Sequence, residues 1–449
     1  MRVYPALRLL LAIVGSAACA SDLPTTPTAN RARLNASIGG TDAIVAVREP
    51  IDLGNLTTQP GTLGSMAWDV NAGGWVVGEA HTASATRAFV WRPGSGMEDL
   101  GTLEPTDTYS RAEGINDAGW VVGTSGSNAT SEAVLWRSGQ PPVALGIPGG
   151  RSEAIDISNS GQIVGAYQVG SATRAFSWQN GVFRELETLG GGEARALGVN
   201  DAGVVVGGSR KANSIAEEAV AWAPGDAPRD LGVTAAVGAG RSVARDINMH
   251  GEVVGMASLP ANSWAPFILR PGTGTSLLAD PRVTGGEASA IDDEGRAVGY
   301  LLNDAILWHP VAGQIQLPKL AGATLHAARG ISNAGYIAGY ARVGKVETRA
   351  VRWQLDRAPV ANAGGPYVGA KKKSVGFDAT RSADPDGDVL TYTWDFGDGS
   401  PLVSGATSTH EYGAWGTYRV TLKVSDPYGL SAAHTTTATI APPGQLKKP

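Results

Sequence analysis

Residues 115–123 read Ile115-Asn116-Asp117-Ala118-Gly119-Trp120-Val121-Val122-Gly123, and altered copies of this stretch recur along the 449-residue chain. The central glycines of the copies are Gly74, Gly119, Gly161, Gly203, Gly251, Gly295 and Gly335. They are separated by 45, 42, 42, 48, 44 and 40 residues. A period of about 40–50 residues is typical of β-propellers and related repeat arrays. The stretch therefore predicts seven structural units.

Each copy has the composition of a β-hairpin. An apolar β-branched residue and then a polar residue precede the central glycine, and the polar residues are Asn71, Asn116, Ser158, Asn200, Asn248, Asp292 and Ser332. A type I turn favours such a residue at its first position and glycine at its fourth. With the glycine in the left-handed region, the turn connects two antiparallel strands. We therefore interpret the recurring asparagine as a turn former.

Two further repeated residues indicate how the units pack. A third strand ends in tryptophan in six of the seven units: Trp91, Trp136, Trp178, Trp222, Trp308 and Trp353. Their large apolar area predicts packing between neighbouring sheets. Four residues before each turn residue stands an alanine: Ala67, Ala112, Ala154, Ala196, Ala244, Ala288 and Ala328. An unvaried small residue predicts the most crowded strand, nearest a central axis.

The fourth strand of the last unit is displaced in the sequence. Most units end in a segment such as Asp99-Leu100-Gly101, but none follows Trp353, and residues 44–54 supply a copy before the first unit. Propellers commonly complete the last sheet with an N-terminal strand, which protects the sheet edges. We therefore predict an all-β fold in which residues 44–356 form a seven-bladed β-propeller closed by an N-terminal strand.

The repeats resemble a known family. Residues 99–103 read Asp-Leu-Gly-Thr-Leu, and residues 87–91 and 174–178 read Arg-Ala-Phe-Val-Trp and Arg-Ala-Phe-Ser-Trp. With the Ile-Asn-x-x-Gly-x-Val-Val-Gly hairpins, they resemble the bacterial extracellular HAF repeats, except that arginine replaces the family's histidine. The resemblance implies a secreted or surface protein and no settled biochemical activity.

A second resemblance covers residues 357–441. Asp384-Pro385-Asp386-Gly387-Asp388, residues 390–399 (Leu-Thr-Tyr-Thr-Trp-Asp-Phe-Gly-Asp-Gly) and residues 416–424 resemble the polycystic kidney disease (PKD) domain. In the last run Tyr418, Val420, Leu422 and Val424 alternate as in a half-buried strand. The resemblance implies an immunoglobulin-like β-sandwich that serves as a spacer or contact module without catalysis. Residues 442–449 are predicted to form a disordered tail.

The N-terminus reads as an export signal. Arginines and a short apolar run in residues 1–18 are typical of a signal peptide, and the run is too short to span a membrane. Cys19 follows Ser16-Ala17-Ala18, which resembles a lipoprotein lipobox with serine in place of the usual leucine or valine. Residues 19–43 would then be a flexible, lipid-anchored tether. The alternative is ordinary cleavage after Ala18-Cys19-Ala20, which leaves the protein secreted.

Composition excludes several classes of function. A formal net charge of −5 without a basic run excludes a general polyanion binder, so we expect no nucleic-acid partner. One cysteine excludes an intramolecular disulfide framework. We expect a monomer whose only link to the membrane is the lipid anchor.

Three groups of residues are candidates for ligand binding. Asp384, Asp386 and Asp388 have the oxygen ligands that Ca²⁺ prefers, and some relatives in the resembled family bind Ca²⁺ in this loop. The alternative for this loop is a solvated Asx turn, and we expect no other cofactor. The aromatic group, Trp75, Trp120 and Tyr336, offers stacking surfaces for sugar or protein, or else packs on adjacent hairpins. The acidic group, Asp69, Asp156 and Asp246, either forms a site in the channel or caps backbone groups.

No catalytic motif is present, and the six histidines show no ligand spacing. We therefore predict a non-catalytic surface or extracellular binding protein that contacts glycan, matrix or another protein. The alternative is an extracellular polysaccharide hydrolase or lyase with its site at the propeller mouth, because catalysis needs titratable groups that converge in one cleft.

Overall fold

The computed structural model describes residues 45–56, 64–127, 130–259, 263–283, 285–345 and 347–442. The predicted signal peptide, the tether with Cys19 and residues 443–449 lie outside the described residues. The fold is all-β, and in the described part the helix α1 spans only Val233–Val237. A search of the described residues finds no helix long and apolar enough to cross a membrane.

Residues 51–354 form seven antiparallel groups of four strands, which we call the first to seventh sheets. The first sheet contains β2 (Ser65–Val70), β3 (Val76–His81), β4 (Thr86–Arg92) and β5 (Gly96–Asp99). The second contains β6 (Tyr109–Ile115), β7 (Val121–Gly126), β8 (Ser131–Trp136) and β9 (Val143–Ala144). The third contains β10 (Ser152–Ile157), β11 (Ile163–Val169), β12 (Ala172–Gln179) and β13 (Val182–Leu186). A parallel pair, Thr86 with Tyr109, also links the first and second sheets.

The remaining sheets follow the same order, and α1 connects the fourth to the fifth. The fourth sheet contains β14 (Gly190–Val199), β15 (Val205–Lys211), β16 (Glu217–Trp222) and β17 (Arg229–Asp230), and the fifth contains β18 (Arg241–Ile247), β19 (Val253–Leu259), β20 (Ser263–Arg270) and β21 (Gly274–Leu277). The sixth contains β22 (Gly286–Ile291), β23 (Ala297–Leu301), β24 (Asp304–His309) and β25 (Gly313–Gln316). The seventh contains β26 (Ala323–Ile331), β27 (Tyr336–Val343) and β28 (Glu347–Gln354) together with β1 (Ile51–Asp52).

The first strand of every sheet is the crowded one. Each repeated alanine is fully buried and pairs with the glycine of the second strand, as Ala67 does with Gly78. A Cβ atom added to Gly78 would lie 2.0 Å from the carbonyl oxygen of Met66, so no larger residue fits there. Directly after the alanine, the first strand of every sheet shifts register in a β-bulge. A bulge bends the strand and redirects one side chain.

Apolar side chains fill the spaces between consecutive sheets. Trp136 of the second sheet is buried in a cluster with Val77 and Val90 of the first. Trp353 of the seventh sheet is buried in a cluster with Leu307 and Leu317 of the sixth sheet and the segment that follows it. These tryptophans pack between neighbouring sheets, as their apolar area predicts.

The turn residues also link one sheet to the next. The Asn116 side chain accepts a hydrogen bond from the backbone N–H of Trp120 (2.9 Å), which is the predicted turn role. Its Nδ2 donates to the carbonyl oxygen of Ser158 in the third sheet (3.2 Å). Asn71, Asn200 and Asn248 donate in the same way to the following turn. The asparagine therefore forms the turn and binds the neighbouring sheet.

The seventh sheet pairs with β1 and lies against the first sheet. Ile51 pairs with Arg352 and Asp52 with Val351, so the N-terminal segment supplies the outer strand of the seventh sheet. β2 contacts β26, β27 and β28, and it also contacts β6 of the second sheet. The Ala350 N–H donates to Ser65 Oγ (3.0 Å), which repeats the bond from the Ala88 N–H to Ser110 Oγ (2.9 Å) between the first two sheets.

The C-terminal domain is an immunoglobulin-like β-sandwich. Its strands are β29 (Tyr367–Ala370), β30 (Ser374–Asp378), β31 (Thr391–Asp395), β32 (Val403–Ser404), β33 (Thr407–Glu411), β34 (Gly416–Ser425) and β35 (Ser431–Ala441). Five of them form one sheet in the order β29-β35-β34-β31-β32, and β30 pairs with β33. Trp394 and Phe396 lie fully buried in the core with Val420, Leu422 and Val424 from the predicted inner face of β34.

The two roles of Asn116 can be separated by substitution. Asn116→Ser resembles the natural Ser158 and Ser332 turns and loses only the bond to the third sheet, whereas Asn116→Ala loses both bonds. We expect the free energy of unfolding to fall by about 1 kcal/mol for serine and about 2 kcal/mol for alanine. Urea unfolding of both variants measures this. Equal losses would contradict a separate contribution from the bond between sheets.

Candidate functional site

The seven bulge residues line one cavity of about 310 Å³, which we call the inner-strand cavity. They are Trp68, Glu113, Ile155, Leu197, Arg245, Ser289 and Arg329, one from each sheet. The bulge that re-aims these side chains is common to all sheets, while their chemistry differs from sheet to sheet. The sequence pattern does not reveal these residues, because they occupy the variable position directly after the repeated alanine.

Two arginines share one carboxylate at this cavity. Arg245 Nη2 donates to Glu287 Oε2 (3.3 Å), and Arg329 Nη1 donates to Glu287 Oε1 (3.3 Å). Glu287 is buried, and its Oε1 also accepts from the Ser289 hydroxyl (3.3 Å). A guanidinium has five N–H donors, and these bonds use few of them. The two arginines exceed Glu287 by one positive charge, but Asp69, Glu113, Asp156 and Asp246 also line the cavity.

Aromatic rings surround the guanidinium of Arg329. It lies 5.4 Å from the ring centre of Trp68, 5.3 Å from that of Tyr300 and 5.6 Å from that of Tyr340. Arg111 lies over Trp68 at 5.6 Å. Such cation–π contacts hold a guanidinium in a fixed orientation without neutralising it. The arrangement can bind a ligand that brings acceptor oxygens to Arg329.

Glu113 and Arg111 form an ion pair beside these rings. Burial raises the pKa of Glu113 to about 7, although the Arg111 charge lowers it. Burial likewise raises the pKa of Glu79, against the nearby Arg111 charge. Glu113 is therefore partly protonated near neutral pH.

The predicted channel aspartates cap backbone groups. Asp69 accepts from the Val70 N–H (2.7 Å) and from the Ile115 N–H of the second sheet (2.9 Å). Asp156 and Asp246 make the same pair of bonds. Each accepts from the N–H of the residue that follows it and from an N–H of the following sheet, which is the fourth sheet for Asp156 and the sixth sheet for Asp246. Among the described residues, one set of three carboxylates lies close enough together to share a metal ion, and it does not include these aspartates. The three aspartates line the inner-strand cavity and also link neighbouring sheets.

The predicted aromatic residues pack on the following hairpin. Each lies half-buried against the turn glycine of the next sheet: Tyr336 on Gly74, Trp75 on Gly119 and Trp120 on Gly161. The Arg92 guanidinium lies 4.6 Å from the ring centre of Trp75, and that of Arg137 lies 4.3 Å from that of Trp120. These contacts fit the packing alternative and leave part of each ring accessible.

The acidic loop of the C-terminal domain differs from its predicted arrangement. Asp386 and Asp388 come together with Asp356, whose carboxylate oxygen lies within 4.8 Å of theirs. Asp384 instead accepts the N–H groups of Asp386 (2.8 Å) and Asp388 (3.2 Å), which is an Asx-turn role. The sequence pattern misses Asp356 because it lies 30 residues earlier, at the end of the repeat domain.

An arginine lies among these carboxylates. Arg48 donates from Nε (3.0 Å) and Nη2 (2.8 Å) to Asp356 Oδ1 and forms a further hydrogen bond with Asp388. Its Nη2 lies 3.5 Å from Asp386 Oδ2. Burial raises the pKa of Asp356 to about 6, although the bonds from Arg48 lower it. Calcium needs oxygen ligands at about 2.3–2.6 Å, so the group does not fit a calcium ion while the guanidinium is in place.

The buried channel aspartates predict a pH dependence of stability. Burial raises the pKa of Asp69 to about 7 and that of Asp156 to about 6. The unfolded chain has values near 4, so the folded protein binds more protons between about pH 4 and pH 7. The stability contributed by Asp69 therefore falls as pH rises through this window. We expect the free energy of unfolding of Asp69→Asn, minus that of the wild type, to increase from pH 4 to pH 8 in urea titrations. A constant difference would contradict the raised pKa.

Comparison with known proteins identifies the C-terminal domain. The family model for the PKD domain matches residues 356–441. Collagenase ColQ1 of Bacillus cereus (strain Q1) is 38% identical over 85 residues, which are 19% of this chain and 9% of the collagenase. The microbial collagenase of Vibrio alginolyticus is 42% identical over 69 residues, which are 15% of this chain and 8% of that protein.

Among solved structures, the PKD1 domain of Vibrio anguillarum Epp is 34% identical and covers 20% of this chain and 99% of that domain, with a TM-score of 0.18. The chain spans less than a tenth of the length of the two collagenases, and the likeness to them lies in the PKD segment alone. Residues 356–441 are therefore a PKD domain.

Proposed function

We propose that this protein is a non-catalytic extracellular binding protein that holds an acidic glycan at the inner-strand cavity. The observation that carries the proposal is the convergence of seven differing bulge residues on that cavity, with Arg245 and Arg329 sharing Glu287. Surface proteins built from repeats often vary the residues that point to one shared space while keeping the scaffold constant.

The seven sheets, in this proposal, form a closed seven-bladed β-propeller. The pairing of β1 with β28 and the contacts of β2 with both β6 and β26 support it. So does the placement of Asp69, because a Cβ atom on Gly330 of the seventh sheet would lie 2.7 Å from Asp69 Oδ1. Asp156 lies in the same way beside Gly114 of the second sheet, so the seventh and first sheets meet as the second and third do.

The arginine N–H donors at the cavity favour a carboxylate-bearing sugar. Planar guanidinium groups bind carboxylates through two parallel N–H bonds. The carboxylates at the cavity are already bonded, Glu287 to two arginines and Asp69 to two backbone N–H groups. A ligand therefore has to supply acceptors. Trp68 also lines the cavity, and the guanidinium groups of Arg111 and Arg329 lie over its ring.

The accessible edges of Trp75, Trp120 and Tyr336 form a second proposed contact surface, for sugar or protein. The PKD domain supports an extracellular or cell-surface location. Lipid attachment at Cys19 would place the protein on a membrane surface. Metabolic labelling with palmitate tests the anchor, since label retained in Cys19→Ser would reject it.

The binding proposal predicts that affinity falls for neutral sugars and for variants that lack a cavity arginine. We expect glucuronate- or galacturonate-containing oligosaccharides to bind and their neutral counterparts to bind at least about tenfold more weakly. Arg245→Gln and Arg329→Gln should each reduce affinity by about ten- to hundredfold, because each removes a charged hydrogen bond. Isothermal titration measures both effects. Arg282→Gln is the matched control, since the Arg282 side chain is 88% exposed and pairs only locally with Asp280.

Other outcomes reject parts of the proposal. Unchanged affinity in both arginine variants, with unchanged thermal unfolding, would move the site away from the cavity. Unchanged affinity in Trp75→Ala and Trp120→Ala would reject the aromatic surface.

An enzymatic alternative rests on one observation, the raised pKa of Glu113 inside the cavity. A carboxyl that titrates near neutral pH suits general acid–base catalysis on a polysaccharide. Chain shortening of an acidic glycan that is lost in Glu113→Gln would support a hydrolase or lyase. Binding without any new chain end would support the non-catalytic proposal.

A further inference from the structure

Residues 46–48 pair with residues 354–356, so Arg48 lies at the junction between the repeat domain and the PKD domain. The Arg48 N–H donates to the Gln354 carbonyl oxygen (2.9 Å), and the Asp356 N–H donates to the Ala46 carbonyl oxygen (3.0 Å). Val47 and Leu355 form a β-bridge between these bonds. The segment thus continues the pairing of β1 with β28 up to the start of the PKD domain, and the backbone fixes the position of Arg48.

The PKD domain surrounds the side chain of Arg48. The guanidinium binds Asp356 and Asp388 and lies 4.9 Å from the ring centre of Tyr428. The side chains of Asp356 and Asp386 have no solvent exposure, and that of Arg48 is 19% exposed. Asp356 Oδ2 is buried and accepts no hydrogen bond. Asp356 therefore depends on Arg48 for compensation of its charge, whereas Asp386 also pairs with Arg357.

The other contacts of the loop hold it against the end of the repeat domain. Asp386 Oδ1 accepts from Gln354 Nε2 (2.8 Å) and from Arg357 Nε (2.8 Å). Arg357 Nη2 also donates to the Pro385 carbonyl oxygen (2.6 Å). These two residues flank the point at which the chain leaves β28, whereas Arg48 is the arginine contributed by the N-terminal segment.

We propose that the acidic loop of this PKD domain is a receptor for Arg48 and that it fastens the N-terminal strand to the seventh sheet. The guanidinium lies against Asp386 and Asp388, two of the three carboxylates to which the family resemblance gives Ca²⁺. The two cations compete for Asp356, Asp386 and Asp388, so calcium enters only when Arg48 has left. The PKD domain is then a structural part of the repeat domain, and the spacer role implied by the resemblance does not describe it fully.

Calcium titration of the complete exported protein tests this competition. The wild type should show no change in Tm with CaCl₂ at about 1 mM, a concentration typical of extracellular calcium modules. Arg48→Gln should have a Tm lowered by several degrees without calcium and should regain part of it with calcium. Adding Asp388→Asn to Arg48→Gln should abolish the calcium effect. Arg349→Gln is the control, since Arg349 of β28 forms ion pairs with Asp52 of β1 and with Glu347, and its replacement removes an arginine contact of the N-terminal strand outside the acidic loop.

Hydrogen exchange measures directly how firmly Arg48 and the acidic loop hold the N-terminal strand, an attachment that we call the clamp. In Arg48→Gln the amide of Leu53, which donates to the Ala350 carbonyl oxygen, should exchange at least about tenfold faster, while Trp394 in the PKD core stays protected. The proposal is overturned if the wild type gains stability from calcium as Arg48→Gln does. It is equally overturned if Arg48→Gln changes neither the exchange of Leu53 nor the response to calcium.

Discussion

The hydrogen bonds that pass from a hairpin turn to the next sheet, made by Asn71, Asn116, Asn200 and Asn248, are the interaction on which the repeat domain depends. Apolar packing between sheets, such as that of Trp136 on Val77 and Val90, favours contact but does not by itself fix orientation. The bond from Asn116 Nδ2 to the Ser158 carbonyl oxygen and the cap made by Asp69 are directional. The first has counterparts at three other junctions between sheets, and the second at two others. They set the position of each sheet relative to the next, and the bulges then point seven side chains into one cavity.

This division of labour separates scaffold from ligand chemistry. The repeated alanine and its partner glycine leave no room for a larger side chain, whereas the bulge position that follows differs from unit to unit. Arg245, Ser289 and Arg329 are consecutive examples of that variation, and Glu287 joins them into one charged group. The same constraint that makes the repeat recognisable therefore concentrates unit-specific chemistry at the proposed glycan site.

The fold was largely predictable from sequence because its signals are local and repeated. The spacing of the turn glycines, the buried alanines and the tryptophans at the third strands each reappear in every sheet or nearly so. The site was less predictable, since Trp68 and Arg329 are separated by 261 residues and belong to no pattern. Arg48 was missed for the same reason. Its partners, Asp356 and Asp388, lie more than 300 residues away, and only the N-terminal strand brings them together.

The attachment of the N-terminal strand to the seventh sheet is the central claim, because the proposed closed propeller and the clamp both require it. Native-state hydrogen exchange at the amides of Arg48 and Leu53 in the wild type tests it most directly, since both donate to carbonyl oxygens at the β28 edge. We expect both amides to be protected to about the same degree as that of Ile337 in the buried strand β27. Exchange at the rate of an unstructured chain, with Ile337 still protected, would contradict the account.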